Sequence, residues 1–169
     1  MRQSLDMPTL DTPTLDTPAL AETPARNGSN PKARAERLLV VDDDPVNRDL
    51  MSRRFGRAGY LVQTVRDGQE ALRSIANDPP DAVLVDLRMP RMSGLELLKT
   101  LRSQYTPAQL PVLMVSALNE SSQIVVALTF GANDYLTKPI DFPVAIARIR
   151  TQLLRKQADQ APARTKEEK

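Results

Sequence analysis

One alternation constrains this chain more than any other feature. Five short, branched, largely apolar runs, LLVV (38–41), LVQTV (61–65), AVLVD (82–86), PVLMV (111–115) and DYLTK (134–138), are separated by longer segments with helical spacing. Continuous apolar runs of that length read as strands buried on both faces. The segments between and after them, at about 45–57, 68–77, 94–103, 120–130 and 141–157, carry helix punctuation. Asp44 before Pro45 suits an N-cap and first helical position, Gly59 and Gly131 suit the residue after a helix end, and Asp141 can cap the last helix. In that helix Phe142, Ile146, Ile149 and Leu153 recur at helical spacing, giving one apolar stripe to lay on a sheet. Strict alternation of strand and helix predicts an α/β fold: a (βα)5 doubly wound parallel sheet with right-handed crossovers and helices on both faces.

Composition narrows the chemistry. The chain has no cysteine and no histidine, which excludes disulfides, thiolate or imidazole metal ligands, a Ser-His dyad and a phosphohistidine. Any reaction must run on carboxylates, hydroxyls and amines. With 23 basic and 21 acidic residues the net charge is +2, too balanced to point to nucleic acid. The start, MRQSLDMPTL, lacks an apolar leader and no apolar run approaches bilayer length, so a cytoplasmic protein without membrane contact is expected. Residues 8–25 form a proline-punctuated pentad repeat, PTLDTPTLDTPALAETPA, with little apolar surface to bury. The expected organisation is a disordered tail over 1–36, one domain over 37–156 and a charged tail over 157–169.

Ligand sites in such sheets lie beyond the carboxyl ends of the strands. Asp42 and Asp43 follow the first strand, Asp86 ends the third, Ser116 follows the fourth and Lys138 ends the fifth. Three converging carboxylates repel one another unless a hard cation or the lysine offsets them, and an oxygen-only cluster favours Mg²⁺. Asp44 is better read as a helix cap alone. The set suits phosphoryl transfer.

These residues also carry a family resemblance. LLVVDDDPVNRDLM, AVLVDLRMPRMSGLELL, PVLMVSAL and GANDYLTKPIDFP are each similar, in order and separation, to segments of bacterial response-regulator receivers over about residues 37–156. The resemblance implies a flavodoxin-like receiver fold and a two-component phosphorelay switch. It implies Asp86 as phosphoacceptor, Asp42, Asp43, Asp86 and the Arg88 carbonyl as Mg²⁺ ligands, Ser116 and Lys138 as phosphoryl contacts, and a cis peptide between Lys138 and Pro139. Ser116 and Tyr135 resemble the family's switch pair. Implied partners are a histidine kinase or His-phosphotransfer protein, a downstream target read through a face carrying Glu120, Gln123 and Arg148, and a second copy of the chain. Arg88 and Leu118 would border the path of hydrolytic water. The only turnover expected is self-catalysed phosphoryl transfer with slow autodephosphorylation, not that of a dedicated enzyme.

Rival readings meet obstacles. A haloacid-dehalogenase-type phosphatase needs a second acid where Arg88 stands, and a flavodoxin-like cofactor binder needs a phosphate cradle that DDDPVN lacks. A receiver fold serving only as a protein adaptor would not need all five site residue types. The stretch after the domain, RTQLLRKQADQAPARTKEEK, is too short and charged for an output domain, so the expectation is either a stand-alone receiver that signals by docking or a truncated sensor-linked protein. Removing residues 1–34 should lower the melting temperature by no more than a few degrees; a large drop in a thermal melt would show that the repeat packs on the domain.

Overall fold

Alternate side chains of the central strands point to opposite faces, and each face has its own covering of helices. The structure, a computed structural model, describes residues 34–117 and 121–160. The pentad repeat, Leu118, Glu120 and most of the charged C-terminal tail lie outside the described residues. The elements run β1 (Arg37–Val41), α1 (Pro45–Arg57), β2 (Leu61–Val65), α2 (Gly68–Asn77), β3 (Ala82–Asp86), α3 (Gly94–Arg102), β4 (Val112–Ala117), α4 (Ser121–Thr129), β5 (Asp134–Lys138) and α5 (Phe142–Gln160). All strand pairs are parallel, in the order β2-β1-β3-β4-β5.

Leu39, Val41, Val83, Val85, Val112 and Met114 face α2, α3 and α4 and pack with Ile75, Leu97, Leu101 and Ala127. Leu38, Val40, Leu84, Leu113, Val115 and Leu136 face the other way, against Met51 and Phe55 of α1 and Ala145, Ile149 and Leu153 of α5. Phe142 and Ile146 of the expected α5 stripe are partly buried on that same side. The ring of Phe55 meets that of Phe142 edge-on at 5.4 Å.

The punctuation acts as expected. Asp44 caps α1, accepting the Val46 amide at 2.8 Å, and Asp141 accepts the Val144 amide at 3.2 Å ahead of α5. Gly59 and Gly131 take left-handed φ values of 98° and 92°. Three expectations need correction. β2 and β5 are not buried on both faces: they are the edge strands, Leu61 of β2 is 58% exposed, and in β5 only Leu136 is buried. β4 extends to Ala117, because pairing with β5 continues through Ser116 and Ala117, so Ser116 lies within the strand and not after it. α5 runs to Gln160, past the expected 157; within the expected span, Lys156 Nζ donates to the Asp81 carbonyl (3.1 Å) and the Gln157 amide to Glu36 (3.1 Å).

Arg102 ties the far end of the sheet together. Its guanidinium donates to the carbonyls of Gly131 (2.7 Å) and Leu110 (3.1 Å) and to Asn133 Oδ1 (2.9 Å). Asn133 in turn accepts the Val112 amide at 2.9 Å. Burial pushes the Arg102 pKa down to about 10, which still leaves it charged at neutral pH. Removing the guanidinium leaves several partly buried acceptors unsatisfied, so Arg102→Met should cost about 2–4 kcal/mol in urea unfolding; a loss near zero would show that the network carries no stability.

Candidate functional site

The sheet order creates the crevice in which the predicted residues meet. From β1 the chain moves outward to β2, then returns past β1 to β3, so β1 and β3 are neighbours whose following loops diverge. Asp42, just after β1, and Asp86, ending β3, flank this switch point. Lys138, ending β5, reaches across from the far edge. Its Nζ lies 2.8 Å from Asp86 Oδ2 and 3.1 Å from Asp42 Oδ2, bridging the two carboxylates.

Burial sets the electrostatics. Asp42 is fully buried and Asp86 only 8% exposed, whereas Asp43 is exposed. Burial raises the pKa of Asp86 and the nearby Asp42 adds to the rise, against the opposing hydrogen bond and charge of Lys138. For Lys138, burial works against the charge, but the hydrogen bond to Asp86 and the charges of Asp86 and Asp42 outweigh it and raise the pKa. The ammonium is thereby kept charged, and the remaining carboxylate oxygens are held by amides: Asp44 N donates to Asp42 Oδ1 (2.8 Å) and Arg88 N to Asp86 Oδ1 (3.3 Å).

Asp42, Asp43 and Asp86 can each offer an oxygen within 4.8 Å of the others. Three carboxylate donors without nitrogen or sulfur fit a hard cation of the Mg²⁺ kind. Ser116 supplies a second pointer to a ligand: among the described residues its hydroxyl is the buried side-chain polar atom with no hydrogen-bond partner. Buried hydroxyls are nearly always paired, so one left open beside Asp86's neighbouring strand suits an oxygen-bearing ligand. The Lys138–Pro139 peptide is cis, as the resemblance implied. Tyr135 is half-buried on the α4 side of β5, with the Arg148 guanidinium 5.4 Å from its ring centre and Arg148 paired to Asp134 at 2.6 Å.

Sequence reading missed the residues that hold the loops. Arg48 Nη1 donates to the carbonyls of Asp42 (2.7 Å) and Asp43 (2.9 Å). Arg91, at a left-handed φ of 68°, donates to Asp67 Oδ2 at 2.8 Å, and Asp67 also caps α2 by accepting the Glu70 amide. That strap ties the loop after β3 to α2. Gly94 opens α3 against the backbone of Asp86 and Leu87. The signals were present as a cation in a first helical turn and a glycine at a helix start, but neither has a periodicity to reveal its contact.

The family model for the response regulator receiver domain matches residues 38–150. The chain belongs to the response-regulator receiver family. The response regulator MprA of Mycobacterium sp. (strain KMS) is 44% identical over 126 residues, covering 75% of this chain and 54% of the relative. MprA of Mycobacterium leprae (strain TN) is 43% identical over 125 residues, covering 74% and 54%. The chain thus spans about half the length of the curated relatives it matches. Among solved structures, the Francisella response regulator 1452 receiver domain is similar at a TM-score of 0.65 and 33% identity, covering 71% of this chain and 98% of that one. A CheY-like receiver domain protein from Methanospirillum hungatei JF-1 gives 0.69 and 27%, covering 75% and 99%.

The fold is therefore the flavodoxin-like receiver fold. Receivers generally hold Mg²⁺ on acidic residues, in keeping with the acidic cluster found. No helix among the described residues is long and apolar enough to cross a membrane. Within the receiver, Gly94 is open to a direct test. A Cβ there would run into the Asp86 carbonyl oxygen and lie 2.9 Å from Leu87 Cα, and both are backbone atoms that cannot swing aside. Gly94→Ala should therefore cost about 1–3 kcal/mol in urea unfolding; full retention of stability would show that the loop after β3 is free to move.

Proposed function

We propose that this receiver is a phosphorylation-dependent switch of a two-component phosphorelay, accepting a phosphoryl group on Asp86 from a histidine kinase or His-phosphotransfer protein. The observation that carries the reading is the buried Asp86 carboxylate held between Lys138 and a cluster able to bind a hard cation. Asp42, Asp43, Asp86 and the Arg88 carbonyl would hold Mg²⁺, which when bound supplies positive charge for the equatorial phosphoryl oxygens. Asp86 attacks phosphorus in line while the donor's P–N bond breaks, and the charge that develops is spread over those oxygens. Lys138, kept protonated, turns from its two carboxylates to a phosphoryl oxygen. Ser116 donates its unpartnered hydroxyl to another. The chain's contribution is positioning and neutralisation, so turnover is limited to its own phosphorylation and slow autodephosphorylation.

Drawing Ser116 towards Asp86 favours an inward turn of Tyr135 and reshapes the surface of α4, β5 and α5. A cavity of about 150 Å³ lined by Tyr135, Thr137, Asp141, Val144 and Arg148 lies on this side. α4 carries no charged residue and leaves Val125 and Leu128 exposed beside Gln123, an apolar surface suited to a downstream target or a second copy of the chain. The cytoplasm is the compartment in which such a relay would run.

The test is labelling with radioactive acetyl phosphate. Wild-type protein should incorporate phosphate in Mg²⁺, incorporate almost none when excess EDTA is present throughout, and show none as Asp86→Asn, whose amide cannot form the acyl phosphate. Undiminished labelling of Asp86→Asn would remove Asp86 from the role. Absence of labelling in folded wild-type protein with Mg²⁺ would leave a receiver fold acting as a phosphorylation-independent adaptor.

A further inference from the structure

Arg48 sits in the first turn of α1, its amide donating to the Asp44 carbonyl at 3.1 Å. No acidic residue shares that turn, so the positive end of the helix dipole opposes the guanidinium charge. Placed there, an arginine would normally extend into water. Instead its Nη1 turns back and donates to two successive peptide carbonyls, Asp42 O at 2.7 Å and Asp43 O at 2.9 Å. Charge-assisted bonds of this length are stronger than neutral ones.

The choice of carbonyls gives this contact a consequence for the site. The Asp42 carbonyl belongs to the peptide plane before Asp43, and the Asp43 carbonyl to the plane after it. Peptide units are rigid, so fixing both planes fixes φ and ψ of Asp43 and with them the direction of its Cα–Cβ bond. The Asp44 amide, in the second of those planes, also donates to Asp42 Oδ1 at 2.8 Å, coupling the turn to the buried carboxylate. Among the described residues the exposed Asp43 carboxylate has no hydrogen-bond partner, so its aim depends on its backbone.

We propose that Arg48 is a positioning residue for divalent-cation binding: its guanidinium fixes the peptide planes flanking Asp43 and holds the acidic turn ready for the ion. This rests on the Mg²⁺-dependent reading of the site. Two effects of Arg48 on the ion have opposite signs. As a charge, the guanidinium repels a dication, so its removal would tighten binding. As a clamp, it preorganises the ligands, so its removal weakens binding, and residues supporting metal ligands typically contribute 10- to 100-fold in affinity. The sign of the change therefore decides between them.

The experiment is a calorimetric Mg²⁺ titration of the full-length chain as wild type, Arg48→Ala, Arg48→Gln, Arg48→Lys and Asp43→Ala, with metal-free thermal melts alongside. The expected result is a Kd raised by about 10-fold or more in Arg48→Ala, a smaller rise in Arg48→Gln, which cannot span both carbonyls with a charged donor, and partial recovery in Arg48→Lys. Metal-free melting temperatures should stay within a few degrees of wild type. Should Arg48→Ala fail to fold, Arg48→Gln decides. An unchanged or tighter Kd in the folded variant overturns the proposal, while wild-type protein that binds no Mg²⁺ overturns the metal reading on which it rests.

Discussion

The bridge from Lys138 to Asp42 and Asp86 is the constraint on which the rest of the structure depends. Two carboxylates withdrawn from water beside each other are each costly, and their mutual repulsion adds to that cost. A single ammonium within 3.1 Å of both offsets it, but only if strands far apart in sequence deliver the three side chains to one place. Lys138 is 96 residues from Asp42 and 52 from Asp86. No local structure can arrange that; the parallel sheet does. β1 and β3 adjoin at the switch point, and β5, one strand beyond β3's neighbour, is close enough for a lysine's long stem to span β4.

The packing explains why the arrangement is held firmly. Each central strand feeds alternate residues into two separate apolar clusters, so a slip of one residue in register would place every core side chain on the wrong face. Register in turn sets the level of the functional residues: Asp86 pairs with Val115 and Ala117 with Lys138, which brings the ends of β3, β4 and β5 to one edge. The loops beyond that edge have no sheet to order them. They are fixed by single polar devices instead, Arg48 on the turn after β1, and the Arg91–Asp67 pair and the close approach of Gly94 on the loop after β3.

Legibility in the sequence followed the same division. The element types, their alternation and the helix caps could be read because apolar periodicity and the chemistry of Asp44, Asp141, Gly59 and Gly131 are local. That Asp42, Asp43, Asp86 and Lys138 come together could be read because strand ends converge in any such sheet. Strand order was not legible, since no local pattern states that β3 returns to pair with β1, and for that reason the exposure of β2 was missed. The extra residues of β4 come from a tertiary partner, the pairing of Ser116 with Thr137 and of Ala117 with Lys138. Arg48, Arg91 and Arg102 escaped notice because a long cation that folds back on carbonyls looks in sequence like any solvated arginine.

On the proposed reading, the lysine-bridged, buried Asp86 is the group that takes the phosphoryl. Trapping the acyl phosphate tests it most directly: the chain is phosphorylated with acetyl phosphate and Mg²⁺, reduced with borohydride, digested and mapped by mass spectrometry. Reduction converts a phosphorylated aspartate to homoserine, so the account predicts homoserine at position 86 and at no other aspartate. Homoserine at Asp42, Asp43 or Asp44 with Asp86 intact would contradict it.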